Sequence, residues 1–300
     1  MTANQRSQQI ARLRAVPRYQ PTTRLLYVLA QIALHLSLLL LPFLLLTRAV
    51  REPAHLCGIP ERFGFGPVGE QGAIWVYAAS LGETRAAAPL IRRFRAAGYP
   101  VLLTHMSPAG MEEGWRLFPD DTGITHRYAP LDLFMAVRLF LRRSRPVMGV
   151  VLEVEIWPSM LIEARHAGVP MVMANGNLLE KSMGRMRGLR RHLMALYQEF
   201  THVFTRTEEY RARYLTAGVA PERLSVVGEL KYDLWIDPAH PPMGRALRDR
   251  WKVARVLMIA SSVQDEEPQL LPMVDQLLEN NAGLGVLWVP RSPQRFDAVA

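Results

Sequence analysis

Along residues 73–230, short apolar runs rich in β-branched residues alternate with stretches whose apolar positions recur at helical spacing. The strand-like runs read AIWVYAAS, PVLLTH, GITHRYAP, VMGVVLEV, PMVMANG, THVFTRT and RLSVVGEL, and helices are expected from near Glu83, Pro108, Leu131, Trp157, Ser182 and Glu208. Strands alternating with helices predict a parallel, doubly wound α/β sheet. The prolines of KYDLWIDPAHPPMGR break this rhythm and read as a linker. RVLMIASS, a helix over about Glu266–Asn280 and GLGVLWVP then restart it. The pattern therefore predicts a Rossmann-like domain over residues 60–235 and the start of a second over 236–300. Two strands and one helix do not cover both faces of a parallel sheet, so the expectation is a chain truncated within its second domain.

The first part of the chain follows another pattern. A basic tail, residues 1–24 with Arg6, Arg12, Arg14, Arg18 and Arg24, precedes LLYVLAQIALHLSLLLLPFLLL. That run, at about 22 residues, matches the length of a bilayer-crossing helix, so residues 25–47 are expected to form a membrane anchor. Gln31, His35 and Ser37 interrupt it and Pro42 would kink it, which also allows a shallow, amphipathic anchor. Basic residues flank both sides, with Arg48 and Arg51 following, so the positive-inside rule sets orientation only weakly.

Composition adds a charge constraint. A formal net charge of +9 over 300 residues points to an anionic partner: a nucleic acid, a membrane surface or a phosphorylated ligand. The basic runs RLFLRRSR and GRMRGLRRH hold a single aromatic, Phe140, and no interleaved series of them, which disfavours nucleic-acid stacking. They suit anionic headgroups or a phosphorylated lipid. The single cysteine, Cys57, excludes an intrachain disulfide and a cysteine metal cluster. GFGPVG precedes the first strand and holds Pro67 where a helix would start, so it reads as a loop and not as a dinucleotide fingerprint.

Ligands of open α/β sheets bind beyond the carboxyl ends of the strands, and charged residues gather there. AASLGET closes the first strand, turns at Gly82 and sets Glu83 in the first turn of a helix. The helix dipole there favours the carboxylate and partial burial the acid, a balance suited to a general base. An ordinary acidic residue at a helix start is the plainer reading. In LEVEIWP, strand alternation would turn Glu153 and Glu155 to one face, and two buried carboxylates carry a desolvation cost that needs a reason. Catalysis and a salt bridge to an arginine are both open. GELKYD brings Lys231 to the end of the last strand of the first domain, where it suits a phosphate or developing negative charge.

Together these residues resemble the Kdo transferases, which attach 3-deoxy-D-manno-octulosonic acid to the lipid A precursor of lipopolysaccharide. The resemblance runs from about Leu25 to the end of the chain and includes ERFGF. The family's S-x-G-E stands as Ser80-Leu81-Gly82-Glu83, its E-x-E-(aliphatic)-W-P as Glu153 to Pro158, and its L-K-(aromatic)-D as Leu230 to Asp233. The start of its donor domain stands as Pro290-Arg291-Ser292-Pro293-Gln294-Arg295-Phe296. The resemblance implies a two-domain GT-B glycosyltransferase, inverting and metal-independent, with CMP-Kdo as donor substrate and no cofactor. It implies Glu83 as proton acceptor and Glu153 and Lys231 as transition-state stabilisers. Substrate-binding positions would be Ser80, Gly82, Glu155, Asn175, Pro290 and Arg291. Partners would be the lipid A precursor, anionic membrane lipids and a nucleotide sugar, with the catalytic domain on the cytoplasmic face of the inner membrane.

Where the family reads N-A-R-L-S this chain reads Asn175-Gly176-Asn177-Leu178-Leu179, and where it reads S-T-H-E-G-E this chain reads Ser261 to Glu266 with Val263 in the histidine's place. Two alternatives follow: a related transferase using another nucleotide sugar, and a non-catalytic, membrane-bound module that binds acidic lipid.

Overall fold

The computed structural model describes residues 21–37, 57–153, 156–180, 194–233, 238–291 and 295–299, and the chain divides into two compact units, Met1–Leu234 and Trp235–Ala300. In the first unit the strands are β1 (Ile74–Tyr77), β2 (Val101–His105), β3 (Ile124–Tyr128), β4 (Met148–Leu152), β5 (Met171–Gly176), β6 (His202–Thr205) and β7 (Leu224–Val226). Its helices of nine residues or more are α1 (Pro21–Ser37), α2 (Leu81–Ala96), α3 (Pro108–Leu117), α4 (Phe134–Ser144), α5 (Pro158–Ala167) and α6 (Glu208–Thr216). The strands pair in parallel in the order β3-β2-β1-β4-β5-β6-β7. The sequence therefore winds one way from β1 to β3 and the other way from β4 to β7. The direction reverses between β1 and β4, the position at which such sheets open a crevice.

Burial explains the strand sequences. Every residue of β1 and β2 is buried, as expected where helices cover both faces. Successive side chains take opposite sides. Trp75 and Tyr77 pack with Phe140, Met160 and Leu161, whereas Ile74 and Val76 pack with Ala87, Ile91 and Phe118. Helix starts are set by side-chain caps: Ser80, Ser107 and Thr207 accept the backbone N–H of Glu83, Gly110 and Tyr210. Pro158 opens α5, and Gly168, at φ 73°, ends it in the left-handed region.

The GFGPVG stretch is a loop, with Gly64 and Gly66 at φ 89° and 98°. Arg127, fully buried on β3, fixes it by donating to the carbonyls of Glu61 (2.9 Å), Phe65 (2.5 Å) and Pro67 (2.6 Å). Burial pulls this guanidinium down to about 10, and the carbonyls compensate the buried charge. The helix expected from Leu131 begins later, at Phe134, whose N–H is taken by Gln31 on α1 at 3.1 Å. The helix expected near Ser182 lies outside the described residues; the described chain resumes with a 3-10 segment, Ala195–Glu199.

The apolar run expected to anchor the chain over residues 25–47 is described only as far as Ser37; residues 38–47 and the tail to residue 20 lie outside the described residues. Among the described residues no helix is long and apolar enough to cross a membrane. The spanning-helix expectation over residues 25–47 therefore rests in part on residues outside the described ones. Gln31, which reads as an interruption in the sequence, is the docking group. Only 7% exposed, it donates to Ser159 Oγ (2.7 Å) and the Asp132 carbonyl (3.1 Å) as well as accepting from Phe134. The Tyr27 hydroxyl also donates to Ser159 Oγ, at 3.4 Å. The polar side of α1 thus faces the domain, and Leu25, Val28, Leu29, Ile32 and Leu36 are left exposed.

The second unit holds α7 (His240–Trp251), β8 (Arg255–Ser262), α8 (Glu267–Asn280), β9 (Leu284–Pro290) and a final turn, Phe296–Val299. β8 and β9 pair in parallel. Val256 and Met258 of β8 are exposed, and Glu267 at the start of α8 is buried against Arg295.

Candidate active site

The reversal between β1 and β4 gathers charged residues at the carboxyl edge of the first sheet. Beyond β1 the chain turns through Ala78 and Ala79 into α2. Ser80 Oγ accepts from Glu83 N (3.3 Å) and donates to Glu83 Oε1 (3.0 Å), while Glu83 Oε2 accepts from Ala79 N (2.8 Å). Ser80 and Glu83 therefore form a variant of the capping box, in which the glutamate takes the N–H of Ala79 just before the cap, and the S-L-G-E motif has a structural duty beside any chemical one. Glu83 is buried, with Thr84 behind it bonded to the Ser80 carbonyl (2.9 Å) and to His105 Nδ1 (3.2 Å). A Cβ on Gly82 would meet only Ser80 Oγ, at 3.9 Å, so the outer side of this turn is open.

Beyond the neighbouring β4, Glu153 sits in left-handed backbone at φ 64° and donates its N–H to the Ala174 carbonyl at 2.9 Å. Strand geometry stops at Leu152, and Glu155 lies outside the described residues. Glu153 Oε1 accepts from Arg206 Nη2 at 2.8 Å, the salt bridge that the sequence left open. Asn175, also left-handed at φ 61°, interrupts the register of β5. It is 1% exposed; Oδ1 accepts from Leu230 N (3.2 Å) and the carbonyl from Arg206 Nε (3.3 Å), while Nδ2 has no partner among the described residues.

Lys231 is not on a strand. It belongs to a 3-10 turn, Leu230–Asp233, after β7 has ended at Val226. Leu230 packs into the cluster that holds Ala78, Ala87, Leu152 and Ala174, which ties this turn to β1, α2 and β4. Lys231 Nζ lies 3.5 Å from Glu229 Oε1, and half of its side chain is exposed. The turn bearing Lys231 thus meets the two strand ends bearing Glu83 and Glu153. Pro290 and Arg291 are in the other unit: Pro290 closes β9, and Arg291, exposed, donates its N–H to the Ser262 carbonyl at 2.9 Å.

Several groups at this edge escape a reading of the sequence. Arg206 ends THVFTR as Glu153 ends its strand, a signal of the same kind that carries no partner's name. A cavity of about 210 Å³ opens nearby, lined by Trp75, Tyr77, Met106, Asp132, Trp157 and Met160 among others. Neither Glu83 nor Glu153 lines it. Burial pushes the Asp132 carboxyl up to about 7, against the pull of hydrogen bonds from Met160 N and Ser159. His105 and His126 stack with ring centres 5.9 Å apart, and burial holds them down at about 3 and about 4. Among the described residues no group of three or more His, Cys, Asp or Glu side chains is placed to hold a metal ion.

Comparison with known proteins follows the same lines. Residues 58–234 match the family model described as 3-deoxy-D-manno-octulosonic-acid transferase (Kdo transferase). The chain is 34% identical over 254 residues to the 3-deoxy-D-manno-octulosonic acid transferase of Bordetella pertussis, covering 80% of this chain and 58% of that one. It is 31% identical over 259 residues to the Haemophilus influenzae enzyme of the same name, covering 84% and 60%. The chain thus spans less than two thirds of the length of these relatives. Among solved structures, the UDP-GlcNAc 2-epimerase of Neisseria meningitidis bound to UDP-GlcNAc aligns with a TM-score of 0.52 at 12% identity, over 76% of this chain and 74% of that one. The S. aureus MnaA–UDP structure aligns at 0.51 and 14%, over 77% and 65%. These similarities show an α/β, GT-B-like fold built on a parallel sheet. With more than half of its length matched by the family model, and 34% identity to a named relative over 80% of the chain, the chain belongs to the 3-deoxy-D-manno-octulosonic acid transferase family.

Proposed function

We propose that the first unit is the acceptor-binding half of a glycosyltransferase that moves Kdo from CMP-Kdo to the lipid A precursor, with inversion and without a metal. Glu83 takes the proton from a sugar hydroxyl of the acceptor as that oxygen bonds to the anomeric carbon of the donor. The bond from that carbon to the CMP phosphate breaks on the opposite side, and the phosphate oxygen leaves with the electron pair. Glu153 offsets positive charge developing on the sugar ring, and Lys231 meets the departing phosphate. Ser80, Gly82 and Asn175 line the acceptor side, and Arg291 and Pro290 belong to the nucleotide side.

The observation that supports this most is topological. Glu83 and Glu153 follow β1 and β4, hydrogen-bonded neighbours at the point where the strand order reverses, and the turn bearing Lys231 packs against the same cluster. A base, a second carboxylate and a cation converge on one edge.

Membrane attachment is part of the proposal. On α1 the exposed Leu25, Val28, Leu29, Ile32 and Leu36 recur at helical spacing. An inner-membrane surface on the cytoplasmic side would be met by this face, where a lipid acceptor is available.

The test is transfer by the full-length gene product, with CMP-Kdo and lipid A precursor, read as CMP release and as the mass of the glycosylated lipid. Wild-type transfer that Glu83→Ala abolishes supports the reading. Activity with another nucleotide sugar and none with CMP-Kdo replaces the donor, a reading favoured by Asn177, whose buried Oδ1 lacks a partner among the described residues. Binding of acceptor lipid with no turnover leaves a lipid-binding module.

A further inference from the structure

Arg206 stands at the end of β6 and holds the carboxyl edge together. Its Nη2 lies 2.8 Å from Glu153 Oε1 and its Nη1 3.2 Å from Glu229 Oε1. Its Nε donates to the Asn175 carbonyl at 3.3 Å. The same Glu229 oxygen is 3.5 Å from Lys231 Nζ. One guanidinium therefore joins the ends of β4, β5 and β6 with the segment after β7, and the charges alternate along the line Glu153, Arg206, Glu229, Lys231. The Arg206 side chain is 14% exposed, so solvent screens these pairs less than it would on an open surface.

The backbone points the same way. Glu153 and Asn175, both bonded to Arg206, are non-glycine residues in the left-handed region. Such conformations persist where surrounding contacts over-determine them, and they cluster at functional sites. A planar fork with donors on three nitrogens holds two carboxylates and a carbonyl at once; an ammonium on a flexible stem does not.

We propose that Arg206 is a positioning residue: it aims the Glu153 carboxylate and, through Glu229, sets Lys231 at a fixed separation from it. The two ends of the line then face the sugar and the phosphate of the donor together. Without Arg206, two carboxylates lose their common cation and repel one another. This inference rests on the proposed Kdo-transfer reading of the edge.

The test uses the full-length gene product carrying Arg206→Gln, Arg206→Lys, Glu229→Gln, Glu153→Gln, or Arg206→Gln combined with Glu153→Gln. For Arg206→Gln, kcat is expected to fall about 100-fold, the scale of a small misplacement of reacting groups, with KM values held within about 3-fold. Arg206→Lys is expected to recover part of kcat, since it restores charge without the fork. In the Glu153→Gln background the Arg206 change is expected to cost about 10-fold instead of about 100-fold, because the Glu153 arm is already lost and only the Lys231 arm remains to lose. Glu229→Gln keeps the Arg206–Glu153 pair and is expected to lower kcat about 10-fold, so it tests the Lys231 arm should Arg206→Gln fail to fold. Wild-type kcat in Arg206→Gln, or fully additive losses, overturns the inference. A crystal structure of Arg206→Gln decides independently of turnover: a Glu153 carboxylate still in its wild-type place overturns the inference. Wild-type protein that transfers no Kdo sinks the proposed function instead.

Discussion

Glu83 has two duties, and a single substitution separates them. In Glu83→Gln the side chain keeps its length and one oxygen that can accept from Ala79 N, but loses its charge and its second acceptor. The bonds at stake are those from Ala79 N at 2.8 Å and Ser80 Oγ at 3.0 Å. Losing part of a capping box and the favourable charge at a helix N-terminus costs roughly 1–2 kcal/mol together. For a unit of this size that lowers the melting temperature by about 2–8 °C. Starting from about 5 kcal/mol or more, it leaves above about 99% of the molecules folded. Unfolding therefore removes about one per cent of the activity, whereas loss of a general base removes about 100- to 10,000-fold. The two effects differ by orders of magnitude and are readily told apart.

The assay is initial-rate Kdo transfer beside a thermal melt on the same preparation. Asp121→Ala serves as the control. Asp121 pairs with Arg95 and accepts from Gly123 N (3.0 Å) just before β3 starts, at the amino edge of the sheet, so its loss costs about 1 kcal/mol far from the crevice. Equal melting shifts are expected for the two variants, with transfer lost only in Glu83→Gln. Transfer by Glu83→Gln within about 3-fold of wild type would refute the base assignment and leave Glu83 a capping residue alone.

Two further predictions concern buried titratable groups. His105 and His126, held at about 3 and about 4 against an ordinary 6.5, resist protonation in the folded state. The stability they contribute is full above pH 6.5 and lost as pH falls toward those values. His126→Phe keeps the stack on Trp115 and removes two buried nitrogens without partners among the described residues, so the change in stability between pH 4 and 7 is expected to shrink by roughly 1–3 kcal/mol; an unchanged pH dependence would refute this. Asp132 has the opposite sign, because its folded value of about 7 lies above the ordinary 3.8. Wild-type stability is expected to fall as pH climbs through that window, and Asp132→Asn to gain on it by roughly 1–3 kcal/mol at pH 8 relative to pH 4, with equal melting at both values counting against the assignment.

The sheet was legible because both of its faces are covered, so its strands appear in sequence as near-continuous apolar runs with polar ends. The edge partners were not. Arg206 and Glu153 are 53 positions apart, and before folding neither differs from a solvated charge at a strand end. Glu83 did carry a readable second signal, since S-x-x-E is a capping box as well as a family motif. The face on which α1 docks could not be read from periodicity. Gln31 is buried because Ser159 and Asp132, 128 and 101 positions away, offer it an oxygen each, and the apolar stripe is then the side left outside. Hydropathy alone assigns the stripe inward.

The two left-handed residues explain why β4 and β5 finish as they do. A side chain in that region costs about 1–2 kcal/mol, which a glycine at either position would relieve. At Asn175 the side chain gives something back, because its Oδ1 holds Leu230 N and so seats the turn that carries Lys231. At Glu153 the carboxylate is held at its Oε1 by Arg206 and remains about a quarter exposed. Under the proposed function, that conformational cost is what turns the Glu153 carboxylate out at the edge where the strand order reverses. On that reading a core strand ends in negative charge because β4 delivers it to the edge beside β1.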